Sequence, residues 1–318
     1  MPHARITRRH AIQAAAALPL LAAPAVAAGP QSTSPPRLTI GIATTGFGTY
    51  TNRQLAEELA GQGLRTVQLF LSQSDSRYWR FNNRADVSTM TPERSAAIAE
   101  TYRAAGIAIH SIGVYTNLIH PDEAERRANL AYFDAMMGIG AAMGVHAFIT
   151  EAGHYREEKP AAGPAFHFRE QVWKTMVATG KELAAMAERH GATVLFEPTF
   201  GGFLASALRT RMYLEEIGSP RLRVLLDPAN LSELNDLGEM FHQLTPWIDC
   251  LHAKDRKLHA ERGVAAGQGD IDYVQFVRLA AKHTPQAPII LEYVGPKDYR
   301  QAVAHLRGAM AKAGLTAS

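Results

Sequence analysis

The sequence predicts an α/β protein of the (β/α)8 TIM-barrel class, on three observations. An apolar run of strand length followed by a helix-period segment recurs eight times along the chain. The runs are nearly continuous in Val, Ile and Leu, as strands covered on both faces of a parallel sheet are. Eight such units in about 280 residues also match that barrel in number and size. A doubly wound open sheet is the alternative. It normally has fewer strands and a glycine-rich phosphate turn after the first, and GIATTGFGTY carries Gly46 and Gly48 without the full fingerprint.

The predicted strands are LTIGIAT (38–44), RTVQLFL (65–71), IAIHSIGVY (107–115), VHAFITEAG (145–153), TVLFEPT (193–199), LRVLLDPAN (222–230), IDCLHAKD (248–255) and PIILEYV (288–294). Helix-period segments lie between them, among them NRQLAEELAGQG, AERRANLAYFDAMMGIGAAMG and REQVWKTMVATGKELAAMAERHG. Thr91-Pro92-Glu93 is a helix start, with Thr as cap and Pro at the first helical position. Gly63, Gly106, Gly144, Gly191 and Gly314 close helices, and the last helix runs from about Asp298 to Lys312.

The first 28 residues stand outside this pattern. Arg8-Arg9 lead into an alanine-rich apolar stretch, and small residues at Ala25, Ala27 and Ala28 resemble an A-x-A cleavage site. We read 1–28 as a signal peptide of the twin-arginine (Tat) type, 29–36 as a linker and 37–318 as a single barrel domain. That predicts export, to the periplasm or beyond. The signal carries three arginines and no acidic residue, so its removal takes 33 basic and 30 acidic residues to an even balance. A neutral mature chain argues against a nucleic-acid partner. No later run is long enough to span a membrane. One cysteine, Cys250, excludes an intrachain disulfide. Homo-oligomerisation stays open.

In a TIM barrel the C-terminal strand ends carry the chemistry. Here they bear Glu197 (LFEP), Asp227 (LLDPAN), His252 (CLHAKD) and Glu292 (LEYV), from four consecutive units. Strand alternation places Leu195, Leu225, Cys250 and Ile290 one layer below them, inside the barrel. Three converging carboxylates repel one another unless a cation joins them. Three carboxylate oxygens with one imidazole suit Mn²⁺, Mg²⁺, Co²⁺ or Fe²⁺ better than a sulfur-rich structural Zn²⁺ site. The alternative is four separate strand-end ion pairs.

These motifs, with the GQGDIDY stretch (267–273), resemble the xylose-isomerase-like barrel superfamily. More narrowly, they resemble its sugar phosphate isomerase/epimerase group, over about residues 38–314. The resemblance implies one divalent ion, often Mn²⁺, held by Glu197, Asp227, His252 and Glu292. It also implies that Glu197 and Glu292 act as the acid/base pair of an isomerase or epimerase of a small carbohydrate or polyol, working through an enediolate. A lyase on the same site, of the inosose dehydratase or 3-keto-glycoside kind, is the runner-up, and a non-catalytic sugar-binding barrel is a third reading. The extra ligands of the three-metal endonuclease IV branch are missing, and His259 falls near their place without the pattern. Export favours an unphosphorylated sugar, a cyclitol or an oxidised glycoside.

Further candidates for substrate contact are Glu151, Asn230, Lys254, His110 and Arg262. Asn230 reads equally as a turn cap, Lys254 as a surface pair and His110 as a core histidine. Gln268 lies in the same loop as Arg262. Tyr78, Trp79, Arg80 and Phe81 follow the second strand, where they either stack on a sugar or pack beneath a loop.

Overall fold

The computed structural model describes residues 37–155, 163–260 and 262–318. The signal and linker predicted for 1–36 lie outside the described residues. Eight parallel strands form the barrel: β1 Ile40–Ala43, β2 Thr66–Leu69, β3 Ala108–Gly113, β4 Ala147–Thr150, β5 Thr193–Phe196, β6 Leu222–Leu226, β7 Ile248–Asp255 and β8 Ile289–Leu291. Each pairs with its sequence neighbour, and β8 pairs with both β7 and β1, which closes the sheet. The barrel class is therefore the observed one, and the open-sheet alternative falls.

Each strand is followed by an outer helix: α1 Asn52–Gly61, α2 Pro92–Ala104, α3 Glu123–Met143, α4 Glu170–Arg189, α5 Ala207–Ile217, α6 Leu237–Leu244, α7 Tyr273–His283 and α8 Tyr299–Lys312. Their starts follow capping chemistry. Thr91 Oγ1 accepts from the Arg94 N–H at the head of α2, and Thr51 with Gln54 forms a capping box on α1. Gly144 ends α3 with φ +71°, a conformation a side chain would strain.

The core has two parts. The larger lies between barrel and helices. The smaller fills the barrel interior with Ala43, Phe70, Tyr115, Ile149, Leu195, Leu225, Cys250 and Ile290. The four residues expected beneath the site are all in it. This packed layer is the floor on which the polar residues stand.

Six of the predicted strands overran by two or more residues at their C-terminal ends. The cause is visible at Pro198 and Pro228, which cannot continue a ladder. Glu197, Asp227 and Glu292 are each the first residue past the last paired one. The Glu197 and Glu292 N–H groups still bond to the Thr150 and Ala253 carbonyls, and the three side chains converge at the strand ends. β7 runs on to Asp255 because residues 254–255 pair antiparallel with a two-residue strand at Val264–Ala265.

Candidate active site

One side-chain oxygen or nitrogen from each of Glu197, Asp227, His252 and Glu292 lies within 4.8 Å of the other three. His252 Nδ1 sits 3.3 Å from Glu197 Oε1, 3.5 Å from Glu292 Oε2 and 3.8 Å from Asp227 Oδ2. Asp227, His252 and Glu197 are buried, and Glu292 is nearly so.

The local fold aims these atoms. Asp227 caps the short helix Pro228–Leu231, its Oδ1 accepting from the Ala229 N–H at 2.9 Å. That leaves Oδ2 for the ring. Asn230, on the same helix, donates from Nδ2 to Glu197 Oε1 at 2.8 Å. The Tyr115 hydroxyl donates to Glu197 Oε2 at 2.5 Å. His252 Nε2 lies 2.6 Å from Gln68 Oε1, which orients the ring with Nδ1 toward the carboxylates. After Glu292 the chain turns through Tyr293 at φ +57°, a left-handed conformation that a side chain rarely adopts.

Lys254 enters the ring from β7. Its Nζ is 2.8 Å from Asp227 Oδ2, 3.0 Å from Glu292 Oε2 and 4.0 Å from Glu197 Oε1, and it rests over the Tyr293 ring. Despite the short approach, no donor is aligned on Asp227 Oδ2, a buried oxygen left without a hydrogen bond. Three carboxylates and one imidazole fit a divalent cation with a preference for oxygen ligands.

The electrostatics agree. Burial disfavours the Asp227 carboxylate, yet Lys254 and His252 outweigh it and hold the group at about 2. Burial also disfavours a charged His252, but Glu292 and Glu197 overcome it and push the imidazole up to about 10. Lys254 is held well above its ordinary value against burial by Asp227, Glu292 and Glu197. Glu292 is raised, by burial first, with Lys254 and His252 opposing.

Above it opens a cavity of about 980 Å³ lined by Trp79, Phe81, Tyr115, Glu151, His154 and Arg256, among others. Glu151 stands level with Glu197 on the neighbouring strand, since Thr150 pairs with Phe196, and its Oε2 lies 2.5 Å from His154 Nε2. Trp79 packs edge-on to Phe70, and Phe81 stays half exposed. Tyr78 is buried and does not line the cavity.

Among the sequence candidates, Glu151, Asn230 and Lys254 thus line the cavity with Glu197 and Glu292, while Asp227 and His252 are fully buried. His110 does not line it. It sits near the start of β3 and lines a second cavity of about 620 Å³ with His146, Asp249 and His283, at the N-terminal ends of the strands. Five residues of extended chain, on the order of 16 Å, separate it from Tyr115, which supplies β3's contribution at the mouth. Burial lowers its pKa. Arg262 is exposed and absent from the lining, because the turn into Val264–Ala265 carries it outward. The guanidinium at the rim is that of Arg256. His259 is exposed and pairs with Glu233.

Sequence reasoning missed Gln68, Tyr115, His154 and Arg256. Gln68 left a signal, as the polar residue inside the apolar run TVQLF. Arg256 follows directly on the HAKD motif.

Comparison with known proteins accords with this geometry. Solved structures of like fold include a 3-keto-D-glucoside 4-epimerase from E. coli, with TM-score 0.68, 14% identity, and coverage of 86% of this chain and 100% of that one. A D-psicose 3-epimerase from Clostridium cellulolyticum H10 gives TM-score 0.65 at 14% identity over 87% and 98% of the two chains. A probable 3-DHS dehydratase from Bacillus anthracis gives TM-score 0.68 at 16% identity over 85% and 97%. At these identities the likeness is one of fold. A search of curated protein sequences found no match. Among the described residues no helix is long and apolar enough to cross a membrane. The family model for the xylose isomerase-like TIM barrel matches residues 56–309, most of the chain, and this protein belongs to that family.

Proposed function

We propose that this protein is a divalent-metal-dependent isomerase or epimerase of a small sugar or polyol, exported by a Tat signal. The observation that carries the reading is the convergence of Glu197, Asp227, His252 and Glu292 within 4.8 Å at the barrel mouth. These four would hold one ion, with Mn²⁺ the best match to the ligand set. Bound there, the ion would supply the Lewis-acid stabilisation that an enediolate of an α-hydroxy ketone needs.

The protein's own groups do the proton work. Glu197 comes from β5 and Glu292 from β8, so the carboxylates approach a bound carbon from different sides. One removes its proton and the other returns it. Tyr115 and Asn230 fix the Glu197 carboxylate by both oxygens. Lys254 lines the cavity beside the carboxylates and would offer an N–H to a substrate oxygen. Trp79 and Phe81 offer faces for a sugar ring.

Elimination is the second reading, favoured by the Glu151–His154 pair in the same cavity. Such a pair can protonate a leaving group, which epimerisation does not need.

The test has two parts. Elemental analysis of the mature protein should find about one divalent ion per chain, lost in Glu197→Gln. Candidate sugars incubated in heavy water should take up deuterium beside the carbonyl, and Glu292→Gln should slow that uptake at least a hundredfold. A protein with no ion, and no stabilisation by added Mn²⁺, would overturn the proposal in favour of a binding barrel. Loss of water or alcohol from the product would establish elimination.

A further inference from the structure

We infer that Arg256 is an oxyanion-binding, specificity-determining residue, and that the substrate carries an anionic group, a carboxylate or, against the expectation from export, a phosphate, beside the part that meets the metal ring. The inference deepens the proposed function and rests on it for the position of the reacting carbon.

Arg256 is 7% exposed and lines the 980 Å³ cavity together with Lys254, Thr199 and Asn230. A guanidinium offers five N–H donors in a fixed fork. Here Nη1 donates to the Ala260 carbonyl at 3.0 Å, and Nε is buried with no hydrogen-bond partner. No carboxylate among the described residues lies within ion-pair distance of it. Its other contact is the face of Phe200, 4.8 Å from Cζ.

A buried charge of this kind is costly unless something pairs with it. The other charges of the cavity already have partners. A divalent ion and Lys254 together offset the three ring carboxylates, and Glu151 has His154 at 2.5 Å. Among the described residues that line the cavity, Arg256 is the cation left over. The side chain lines a cavity that holds far more than one small sugar ring. A planar carboxylate or a phosphate accepts two parallel N–H bonds from such a fork, a geometry that lysine cannot match. The position is fixed from behind, because Asp255 Oδ1 accepts the Arg256 N–H at 2.9 Å while its carboxylate also takes the N–H groups of Gly267 and Ile271.

The test uses the Mn²⁺-loaded mature protein and paired probes in calorimetric titrations: D-glucuronate against D-glucuronamide, and D-glucose 6-phosphate against D-glucose. At least one anionic probe should bind tenfold or more tightly than its neutral partner, and which pair shows the gap tells carboxylate from phosphate. Arg256→Gln should abolish the gap and leave neutral binding within twofold, while Arg256→Lys should keep only part of it. No gap in either pair for the wild type, or a gap that survives Arg256→Gln, would overturn the inference. So would equal weakening of both probes of a pair with a lowered Tm, which marks a mere loop staple through Phe200 and Ala260. Metal content measured on the same samples keeps the two readings apart. An anion gap without any bound ion would sink the metal reading alone, and one ion per chain without a gap would sink this one alone.

Discussion

Gln68 Oε1 lies 2.6 Å from His252 Nε2, directly beneath the carboxylate ring. The contact decides which imidazole nitrogen faces a metal. An amide oxygen accepts, so Nε2 must carry a proton and Nδ1 is the atom available to a cation.

Replacing Gln68 by leucine removes that orientation without touching a ligand. We expect Mn²⁺ affinity to fall by about 10–100-fold, the usual effect of losing a partner behind a metal-bound histidine. Titration of metal-free protein with Mn²⁺ measures it, and an unchanged affinity would mean that packing alone orients His252.

The raised pKa of His252 sets a pH dependence. In the metal-free protein the imidazole is charged up to about pH 10. A metal must displace that proton, so apparent affinity should rise roughly tenfold per pH unit between pH 6 and 8, with about one proton released per ion. Titrations in two buffers of different ionisation enthalpy count the proton. Stability of the metal-free chain follows the opposite sign for this group. A folded pKa above the unfolded value contributes stability that is complete below about 6.5 and is lost as pH rises toward 10. Asp227, held at about 2, contributes above its ordinary 3.8, and that contribution is lost as pH falls through 2.

What could be read from the sequence was whatever repeats or alternates. The barrel was legible because eight apolar runs recur with helices between them. The ring was legible because Glu197, Asp227 and Glu292 interrupt apolar runs at equivalent places, and His252 does so in β7. Residues whose role depends on depth along a strand were not legible. His110 and Tyr115 share the predicted strand 107–115, yet one lines the bottom cavity and the other hydrogen-bonds Glu197. Loop geometry was equally hidden, so Arg262 was chosen over Arg256, six residues earlier. Only the extension of β7 to Asp255 places Arg256 at the rim.

Gly46 owes its role to close approach. A Cβ built there would lie 2.0 Å from the Val294 carbonyl oxygen and 3.2 Å from Gly295 Cα. Backbone at that distance must shift, and the segment that shifts begins next to Glu292. Gly46→Ala should therefore cost about 1–3 kcal/mol in urea denaturation, the range for overpacking. It should weaken Mn²⁺ binding as well. A stability loss with wild-type metal affinity would show that the 292–295 segment moves without carrying Glu292 along.

Lys254 predicts two effects of opposite sign in one variant. Its ammonium lies 2.8 Å from Asp227 and 3.0 Å from Glu292, where it serves the metal-free protein as the ring's cation. Lys254→Met leaves buried carboxylates unmatched. Removing one partner of a buried pair costs about 3–5 kcal/mol, so the metal-free variant should unfold at markedly lower urea. The same change removes a positive charge from beside the metal position, and by Coulomb's law Mn²⁺ should then bind more tightly than to the wild type. Added Mn²⁺ should accordingly restore more stability to the variant than it adds to the parent. Weaker metal binding in Lys254→Met would instead mean that the lysine shapes the ring and does not compete for it.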